Sequence, residues 1–380
     1  MLFNPDISKQ AVEVIFSKKN HEAGLDPLLF NGIPVKTVDK TKHLGMILDK
    51  RLSFENHVTE KIKTANKGIS VMKRLYPYVP RRALEVIYKL YVRPHIDYGV
   101  VVYHMPDKES KTFDSENDTI HPLMSIIESV QYEAACVVSG AWRGSSREKL
   151  YDDLGWESLN HRRNLRRLCM FYDIYKNDYP KYLSCNIDIC KPKNSMRLTK
   201  KNKLNNWPCR TTKFSLSFFP SSIKDWNALE EETRNAKNLN IFKTLLLKTI
   251  RPKRKEYFGI MDKEGTRLIT LLRMGLSSLR KHKFYHNFKD TPFPTCPAHD
   301  GVENTKHFLL LCKSFTNTRA ALHRNITQIL KGNFDGYPNK KKIEILLYGK
   351  VGLTDDENKK ILMETIYFIR KSKRFENRAS

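Results

Sequence analysis

The chain has 380 residues with 40% hydrophobic side chains, which is enough to bury the cores of two or three domains and excludes a chain that is disordered throughout. Its formal net charge of +27 indicates a surface that attracts nucleic acid, because Lys and Arg contacts to phosphate release counterions. We find no apolar run of about 18 residues and no signal peptide, so we expect an intracellular protein, nuclear or cytoplasmic, without a membrane partner. The seven cysteines are scattered and odd in number, which argues against a disulfide framework.

The N-terminal part contains strand patterns only. Residues 10–17 alternate apolar and polar side chains, and residues 28–30 and 34–38 flank a turn. Residues 42–49 follow as a largely apolar strand, in which Gly45 allows close approach of another group. Short strands without a helix of their own indicate the remnant of a larger sheet.

Residues 52–105 are predicted to form a pair of packed helices. Ser53 is a good N-cap, and apolar residues recur behind it every three or four positions. Pro80 opens a second helix that extends to residue 103. The pair carries basic side chains that could contact phosphate, namely Lys61, Lys63, Lys67, Lys73, Arg74, Arg81 and Arg82. The alternative is an ordinary helical hairpin whose charges are simply solvated.

The rest of the chain divides by charge and periodicity. We predict an acidic linker at 106–122, an arginine-rich helical region at 123–183, a basic loop at 184–220, a helical region at 221–290, a short Cys/His segment at 291–325 and C-terminal helices at 326–380. The expected fold class is mostly α with a small antiparallel sheet at the N-terminus, an α+β arrangement.

Four arginines in the arginine-rich region are spaced four residues apart in two pairs, Arg162 with Arg166 and Arg163 with Arg167. Residues at this spacing are neighbours on one side of a helix. Such a density of guanidinium groups suits phosphate, so we predict that these arginines bind RNA or DNA. The alternative is that they pack or pair internally.

Two acidic runs lack the setting of a catalytic site. Tyr151, Asp152 and Asp153 lie in a helical pattern, and we interpret the two acids as solvated helix charges. Residues 355–357 follow Thr354 at a helix N-terminus, where acids suit the helix dipole. The sequence therefore offers no catalytic residue.

One constellation offers coordination chemistry. Cys296, His299, His307 and Cys312 have the spacing C-x2-H-x7-H-x4-C, and two thiols with two imidazoles suit a closed, tetrahedral structural zinc site. The last two ligands are separated by little more than one helical turn, which brings them near one another. The alternative is a chance grouping, in which Cys312 is a plain buried thiol beside the apolar run 308–311.

Several of these stretches resemble one known family, the reverse transcriptases (RNA-directed DNA polymerases) of jockey-like non-LTR retrotransposons. Residues 42–58 (KHLGMILDKRLSFENHV) and 91–99 (YVRPHIDYG) are similar to the passage from palm to thumb in that family. The similarity continues through residues 127–131 (IESVQ), residues 154–156 (LGW), Arg162 with Arg163, and the Cys/His segment.

The resemblance implies that residues 1–51 are the end of the palm and that residues 52–105 are a thumb, which grips the template and primer duplex. It also implies a C-terminal zinc-binding segment, whose pattern is matched by Glu303, His307, Leu310, Cys312 and Arg319. The second ligand in the family is usually a cysteine closer to the first, and His299 stands in its place here.

In the family, the metal-binding aspartates lie on a Phe/Tyr-x-Asp-Asp hairpin just upstream of the position of Met1, and this chain does not contain that hairpin. Polymerisation by two metal ions needs such carboxylates, so we expect no polymerase activity, no catalytic metal and no small-molecule substrate. We expect a C-terminal fragment of a reverse transcriptase that binds RNA or DNA through its basic helices. The alternatives are a host nucleic-acid-binding or interaction protein derived from the element, and a non-functional translated relic.

Overall fold

The computed structural model describes residues 12–16, 26, 28–30, 32–104, 122–178, 180–187, 203–248 and 263–375. The acidic linker predicted at 106–122 lies outside these ranges except for its last residue, and so do residues 188–202 of the predicted basic loop. What the sequence predicts for those segments stays a prediction.

The described chain is mostly helical, which confirms the predicted fold class. The α-helices are α1 (Glu55–Leu75), α2 (Arg81–Ile87), α3 (Arg93–Asp97), α4 (Val100–Tyr103), α5 (Pro122–Ser139), α6 (Arg147–Leu154), α7 (Leu159–Asn177), α8 (Lys181–Ser184), α9 (Thr212–Ser215), α10 (Phe218–Ala228), α11 (Glu231–Arg234), α12 (Leu239–Lys248), α13 (Lys263–Met274), α14 (Arg280–Tyr285), α15 (Thr316–Leu330), α16 (Asn339–Tyr348) and α17 (Asp355–Lys371). Among these described helices, none combines the length and the apolarity that crossing a membrane requires.

Short strands occupy the N-terminal part, as predicted. They are β1 (Val12–Glu13), β2 (Leu29–Phe30), β3 (Ile33–Pro34), β4 (Lys36–Thr37), β5 (Lys40–His43) and β6 (Met46–Asp49). Strands β2 and β3 pair antiparallel, as do β5 and β6, whereas β1 and β4 pair parallel. The three pairs are separate two-stranded sheets, of which the two antiparallel ones match the small antiparallel sheet that the sequence predicts.

The hairpin β5–β6 replaces the single strand predicted over residues 42–49. Leu44 and Gly45 form its two-residue turn with φ of 45° and 76°, the left-handed conformation that tight hairpin turns require. Leu44 is 78% exposed at the tip. A Cβ on Gly45 would lie 3.2 Å from the ring of Tyr98, whose hydroxyl donates a hydrogen bond of 2.6 Å to the carbonyl of Leu44. The close approach that this glycine permits is thus made by Tyr98.

The N-terminus of α1 is held by a carboxylate at the end of β6. Asp49 accepts hydrogen bonds from the backbone N–H groups of Arg51, Ser53 and Phe54, each at 3.0 Å. Ser53, the predicted N-cap, accepts the N–H of Glu55 at 3.3 Å. Burial alone would raise the pKa of Asp49, but these hydrogen bonds outweigh it and lower the pKa. Strand and helix are therefore joined by one hydrogen-bonded corner.

The second predicted helix is interrupted before it reaches residue 103. After α2 the chain forms a π-helical turn at Tyr88–Val92, and α3 then begins with Pro94 at its second position. Gly99 separates α3 from α4 with a φ of 65°. A proline and a left-handed glycine both break regular helical hydrogen bonding, so the prediction of one continuous helix was wrong.

The chain forms two compact units, each built from segments that are separated in sequence. Unit 1 comprises residues 1–68, 89–131 and 158–250, and unit 2 comprises residues 69–88, 132–157 and 251–380. The domains predicted at 52–105 and 123–183 each contribute to both units.

Each unit has its own apolar core. In unit 1, the fully buried rings of Phe171, Trp226 and Phe242 come from α7, α10 and α12, with adjacent centroids 5.7 Å apart. In unit 2, the core is largely aliphatic and is supplied by α13, α15, α16 and α17. Full burial of one such side chain stabilises the fold by about 1.5–3 kcal/mol.

A buried carboxylate joins the three segments of unit 2. Asp153 lies 2.9 Å from Nη2 of Arg81 and 2.5 Å from Nη1 of Arg273, and it accepts a hydrogen bond of 2.9 Å from the hydroxyl of Thr270. Burial alone would raise the pKa of Asp153, but the two guanidinium charges outweigh it and hold the pKa below its usual value. Asp152 is exposed. The interpretation of both acids as solvated helix charges is therefore right for Asp152 and wrong for Asp153.

We expect Asp153→Ala to lower the free energy of unfolding by about 3–5 kcal/mol, because it removes the shared counter-charge of Arg81 and Arg273 inside the protein. Asp152→Ala is the matched control on the same turn of α6, and should change the free energy by less than about 0.5 kcal/mol. Urea unfolding measures both values.

Since folding lowers the pKa of Asp153, its stabilisation is present above its unfolded-state pKa and is lost as pH falls through its folded-state pKa. Equal stability of the two variants at neutral pH would contradict the network.

Candidate metal centre

The first half of the candidate centre is a tight loop. An antiparallel bridge pairs Thr295 with Val302, and the N–H of Cys296 donates to the carbonyl of Gly301 at 2.9 Å. The N–H of His299 turns back to the carbonyl of Cys296, also at 2.9 Å. This turn puts His299 at the exposed end of the loop, with a φ of 54°. The loop therefore directs the Cys296 thiol inward and leaves His299 outside.

The second half is the π-helical turn His307–Leu311. The N–H of Cys312 donates to the carbonyl of His307 at 2.8 Å, so the hydrogen bond spans five residues. In an α-helix, residues five apart point about 140° away from each other. The wider π-turn brings them back to the same side. This local geometry explains how the H-x4-C spacing gathers its two ligands.

These halves bring together Cys296, Asp300, His307 and Cys312, which we call the four-residue cluster. One thiol, carboxylate or imidazole ligand atom from each residue lies within 4.8 Å of the other three. Tetrahedral zinc ligands lie about 3.3–3.8 Å from one another, so a small contraction would give such a set. Both thiols are at most 1% exposed. The cluster could hold a metal ion.

The structure assembles three of the four predicted ligands and places Asp300 where His299 was expected. Asp300 Oδ1 lies 2.5 Å from the Cys296 thiol, and Oδ2 accepts the N–H of Lys313 at 2.6 Å. Sequence reasoning missed Asp300 because it followed the Cys/His spacing alone. The available signal was an aspartate directly after a predicted ligand, since a carboxylate is also a zinc ligand.

The imidazole of His307 is oriented for a ligand. Its Nε2 lies 3.0 Å from Oδ1 of Asp300, but not in a direction that makes a hydrogen bond, so this buried nitrogen has no hydrogen-bond partner within the described residues. Gly301 lies against the other side of the ring, where an added Cβ would be 2.9 Å from Nδ1. A bound cation would give the buried nitrogen a partner. Because Gly301 has no side chain, the imidazole ring fits beside it.

Charge within the cluster also favours a cation. Hydrogen bonds from the Cys296 thiol and the backbone of Lys313 lower the pKa of Asp300 to about 2, so its carboxylate is ionised. Burial, with the hydrogen bond to Asp300, raises the pKa of Cys296. A metal ion supplies the positive charge that a buried thiolate needs, so metal binding would release the thiol protons.

Charged side chains around the cluster fix the two halves. Arg319 donates to the carbonyls of Leu309 and Cys312, which lie at the end of the π-turn. Glu303, 1% exposed, lies at the end of the loop and accepts two hydrogen bonds of 2.6 Å from Arg374. Such outer partners orient metal ligands. The structure thus gives Glu303 and Arg319 a physical role at the site.

Helices α1 and α2 carry the basic side chains that were predicted to contact phosphate, and some of these side chains are exposed. Lys63, Lys67 and Arg74 lie at positions i, i+4 and i+11 of α1, which share one stripe of the helix. Within the described part of the chain, no ion pair involves these three side chains. Arg82, on α2, is also exposed.

The other predicted cations of these helices have intramolecular contacts. Lys61 lies over the ring of Tyr98, 5.1 Å from its centroid. Lys73 pairs with Glu133 at 2.5 Å. Arg81 belongs to the buried network already described. Their charges are partly used within the fold, so they are poorer candidates for phosphate than the exposed stripe.

The four predicted arginines of α7 also have contacts within the protein. Arg162 and Arg166 stack as their spacing predicts, and both reach Oδ2 of Asp97, at 3.2 and 3.0 Å. Arg163 and Arg167 are no more than 2% exposed, and Arg167 pairs with an aspartate of α10. The structure therefore favours the alternative, in which these arginines pack or pair internally.

No protein-family model, curated protein or solved structure matches this chain. The chemistry of the site is accordingly argued from its donor atoms and their burial.

We expect Gly301→Ala to reduce the metal content of the purified protein, because the added methyl group would displace the His307 imidazole. Gly332→Ala is the matched control, since its nearest neighbour would be a carbonyl oxygen 3.7 Å away. Elemental mass spectrometry of both variants measures the metal bound per chain. Full metal content in Gly301→Ala would show that the imidazole position is not required.

Proposed function

We propose that the chain binds nucleic acid, as the C-terminal part of a reverse transcriptase of the jockey-like non-LTR type. The exposed stripe of Lys63, Lys67 and Arg74 on α1 carries this proposal, together with the net charge of +27 and the resemblance around residues 42–58 and 91–99. A run of cations without carboxylate partners is the surface that a phosphate backbone requires.

The stripe suits contact with the backbone of a duplex. Its first two cations are four residues apart and its third lies seven residues further along α1, so they span about 16 Å of the helix at 1.5 Å per residue. Phosphates follow one another along each strand every few ångströms, so several can be reached at once. Contacts of this kind position a protein without reading sequence, and binding should therefore show little sequence preference.

We also propose that the four-residue cluster binds one structural zinc ion. Two thiolates, an imidazole and a carboxylate would complete a tetrahedral shell, which leaves no open position for a substrate. The ion would tie the loop around Cys296 to the π-turn His307–Leu311. Because so short a loop has little apolar core, the metal would contribute directly to its stability.

No polymerase chemistry is proposed for this chain on its own. The chain lacks a Phe/Tyr-x-Asp-Asp sequence, and the carboxylate of Asp153 forms ion pairs with Arg81 and Arg273. Two-metal phosphoryl transfer needs carboxylates that face a nucleotide. The proposed role is therefore to hold nucleic acid. An in-frame upstream genomic sequence that encodes the missing hairpin would support the proposed origin.

Replacement of Lys63, Lys67 and Arg74 by glutamine should reduce the slope of log affinity against log salt by up to about three, since each phosphate contact releases close to one counterion. Fluorescence anisotropy with a labelled duplex at several salt concentrations measures the slope. Lys73→Gln is the control on the same helix, and should change the slope less because Lys73 already pairs with Glu133. An unchanged slope in the triple variant would contradict binding through this stripe.

Protein purified without added zinc should contain about one equivalent of the metal and lose it on Cys312→Ser, because a thiolate ligand is removed. Cys136→Ser, which changes another buried thiol, should retain it.

Asp300→Ala should lose zinc and His299→Ala should keep it if Asp300 is the fourth ligand. Zinc binding should weaken at acidic pH, because the thiol and imidazole ligands must be deprotonated to bind the ion. Folded wild-type chain without metal would refute the site.

A further inference from the structure

A row of aromatic rings lies beside α14 in unit 2. The ring of Trp142 lies 5.4 Å from that of His282 and is stacked on that of Phe288, with centroids 5.8 Å apart and planes 29° apart. His282 is 6.3 Å from Phe288 and 4.3 Å from His286. We call these four residues the aromatic ladder. Their rings contact one another, and none of them belongs to the four-residue cluster or to the two apolar cores described above.

Helix capping fixes the ladder. Asn287 ends α14 with a φ of 55°, and its N–H donates to the carbonyl of Phe284. The N–H of Phe288 donates to the carbonyl of Lys283 at 3.0 Å. These two bonds form a Schellman motif, which folds the residue after the cap back against its own helix. The motif therefore holds Phe288 in place in the unbound protein. Binding of a ligand to its ring would cost little conformational entropy, because the residue is already ordered.

The open side of the ladder is both aromatic and cationic. His286 is exposed and Phe288 is 39% exposed, whereas His282 is buried. Residues 280–290 carry four Lys or Arg against a single acid, Asp290. Lys283 pairs with that acid at 2.5 Å. The remaining exposed lysines of this stretch are Lys281 and Lys289.

We propose that the aromatic ladder binds single-stranded nucleic acid, with an unpaired base stacked on Phe288 and His286 and with Lys281 and Lys289 at the flanking phosphates. The inference rests on the proposed nucleic-acid binding and adds a second site with a different substrate form. Exposed rings interleaved with cations are the chemistry by which proteins hold single strands, because every base has a π face. A duplex keeps its bases stacked on each other and offers only its phosphates to such a surface.

The test compares single-stranded and duplex binding by the full chain. A labelled oligothymidylate or oligouridylate and a duplex of equal length are titrated by fluorescence anisotropy. Phe288→Leu keeps the apolar volume and removes the π face, and should weaken single-strand binding about tenfold while duplex affinity is unchanged. Phe288→Tyr keeps the ring and should restore wild-type affinity. Tyr367→Leu removes a ring that is 59% exposed on α17, and should have no effect.

Tryptophan fluorescence gives an independent readout. Of the three tryptophans other than Trp142, Trp156 and Trp226 are buried, and Trp207 is half-buried in unit 1, where it stacks on Phe214 and Phe219. Trp142→Phe should therefore abolish the part of the quenching that comes from a base bound at the ladder. Single-strand affinity that is unchanged in Phe288→Leu would overturn the ladder as a site. Equal weakening of duplex and single strand would also overturn it, since stacking cannot explain the duplex loss. The proposed function would fail separately, through an unchanged salt slope of duplex binding when Lys63, Lys67 and Arg74 are replaced.

Discussion

Unit 2 depends on the ion pairs of one carboxylate. Its three segments are separated by dozens of residues in sequence. Each segment contributes one charged side chain to the network, namely Arg81, Asp153 and Arg273. Arg273 also donates to the carbonyl of Leu347, so the same guanidinium reaches α16. An apolar core can slide or repack, whereas buried charges must meet at fixed positions. The network therefore sets the register in which the helices of this unit assemble.

The four-residue cluster follows from a different constraint, which is the spacing of its residues along the backbone. A loop closed between Thr295 and Val302 and a π-turn that begins at His307 each bring one thiol inward. The loop has little apolar surface of its own, whereas the turn carries an apolar run. Glu303 and Arg319 stabilise both from outside, and Phe308 and Leu309 attach the turn to the core of unit 2. The cluster is thus positioned by the fold, and its donor atoms would then stabilise the loop on binding a cation.

Local patterns in the sequence predicted local structure well. The spacing of Val58, Ala65 and Ile69 predicted the buried face of α1, and three ligands of the cluster came from Cys/His spacing. What failed depended on residues far away in sequence. The pairing of Arg162 and Arg166 with Asp97 is such a case, because no local pattern indicates which carboxylate a helix will meet. Leu44 at a hairpin tip, by contrast, was missed for a local reason, because an apolar residue with positive φ is unusual in a turn.

The end of the chain completes unit 2. Helix α17 supplies several core residues of that unit, and Arg374 reaches back to Glu303. During synthesis, the segments 69–88 and 132–157 leave the ribosome before residues 251–380, so the part of their surface that packs on this last segment stays exposed until it emerges. Unit 1 is also built from three segments, but its last segment ends at residue 250, before the last segment of unit 2 is made. Unit 1 can therefore complete its contacts first, and in the interval the unfinished unit 2 would expose apolar surface on which chains aggregate.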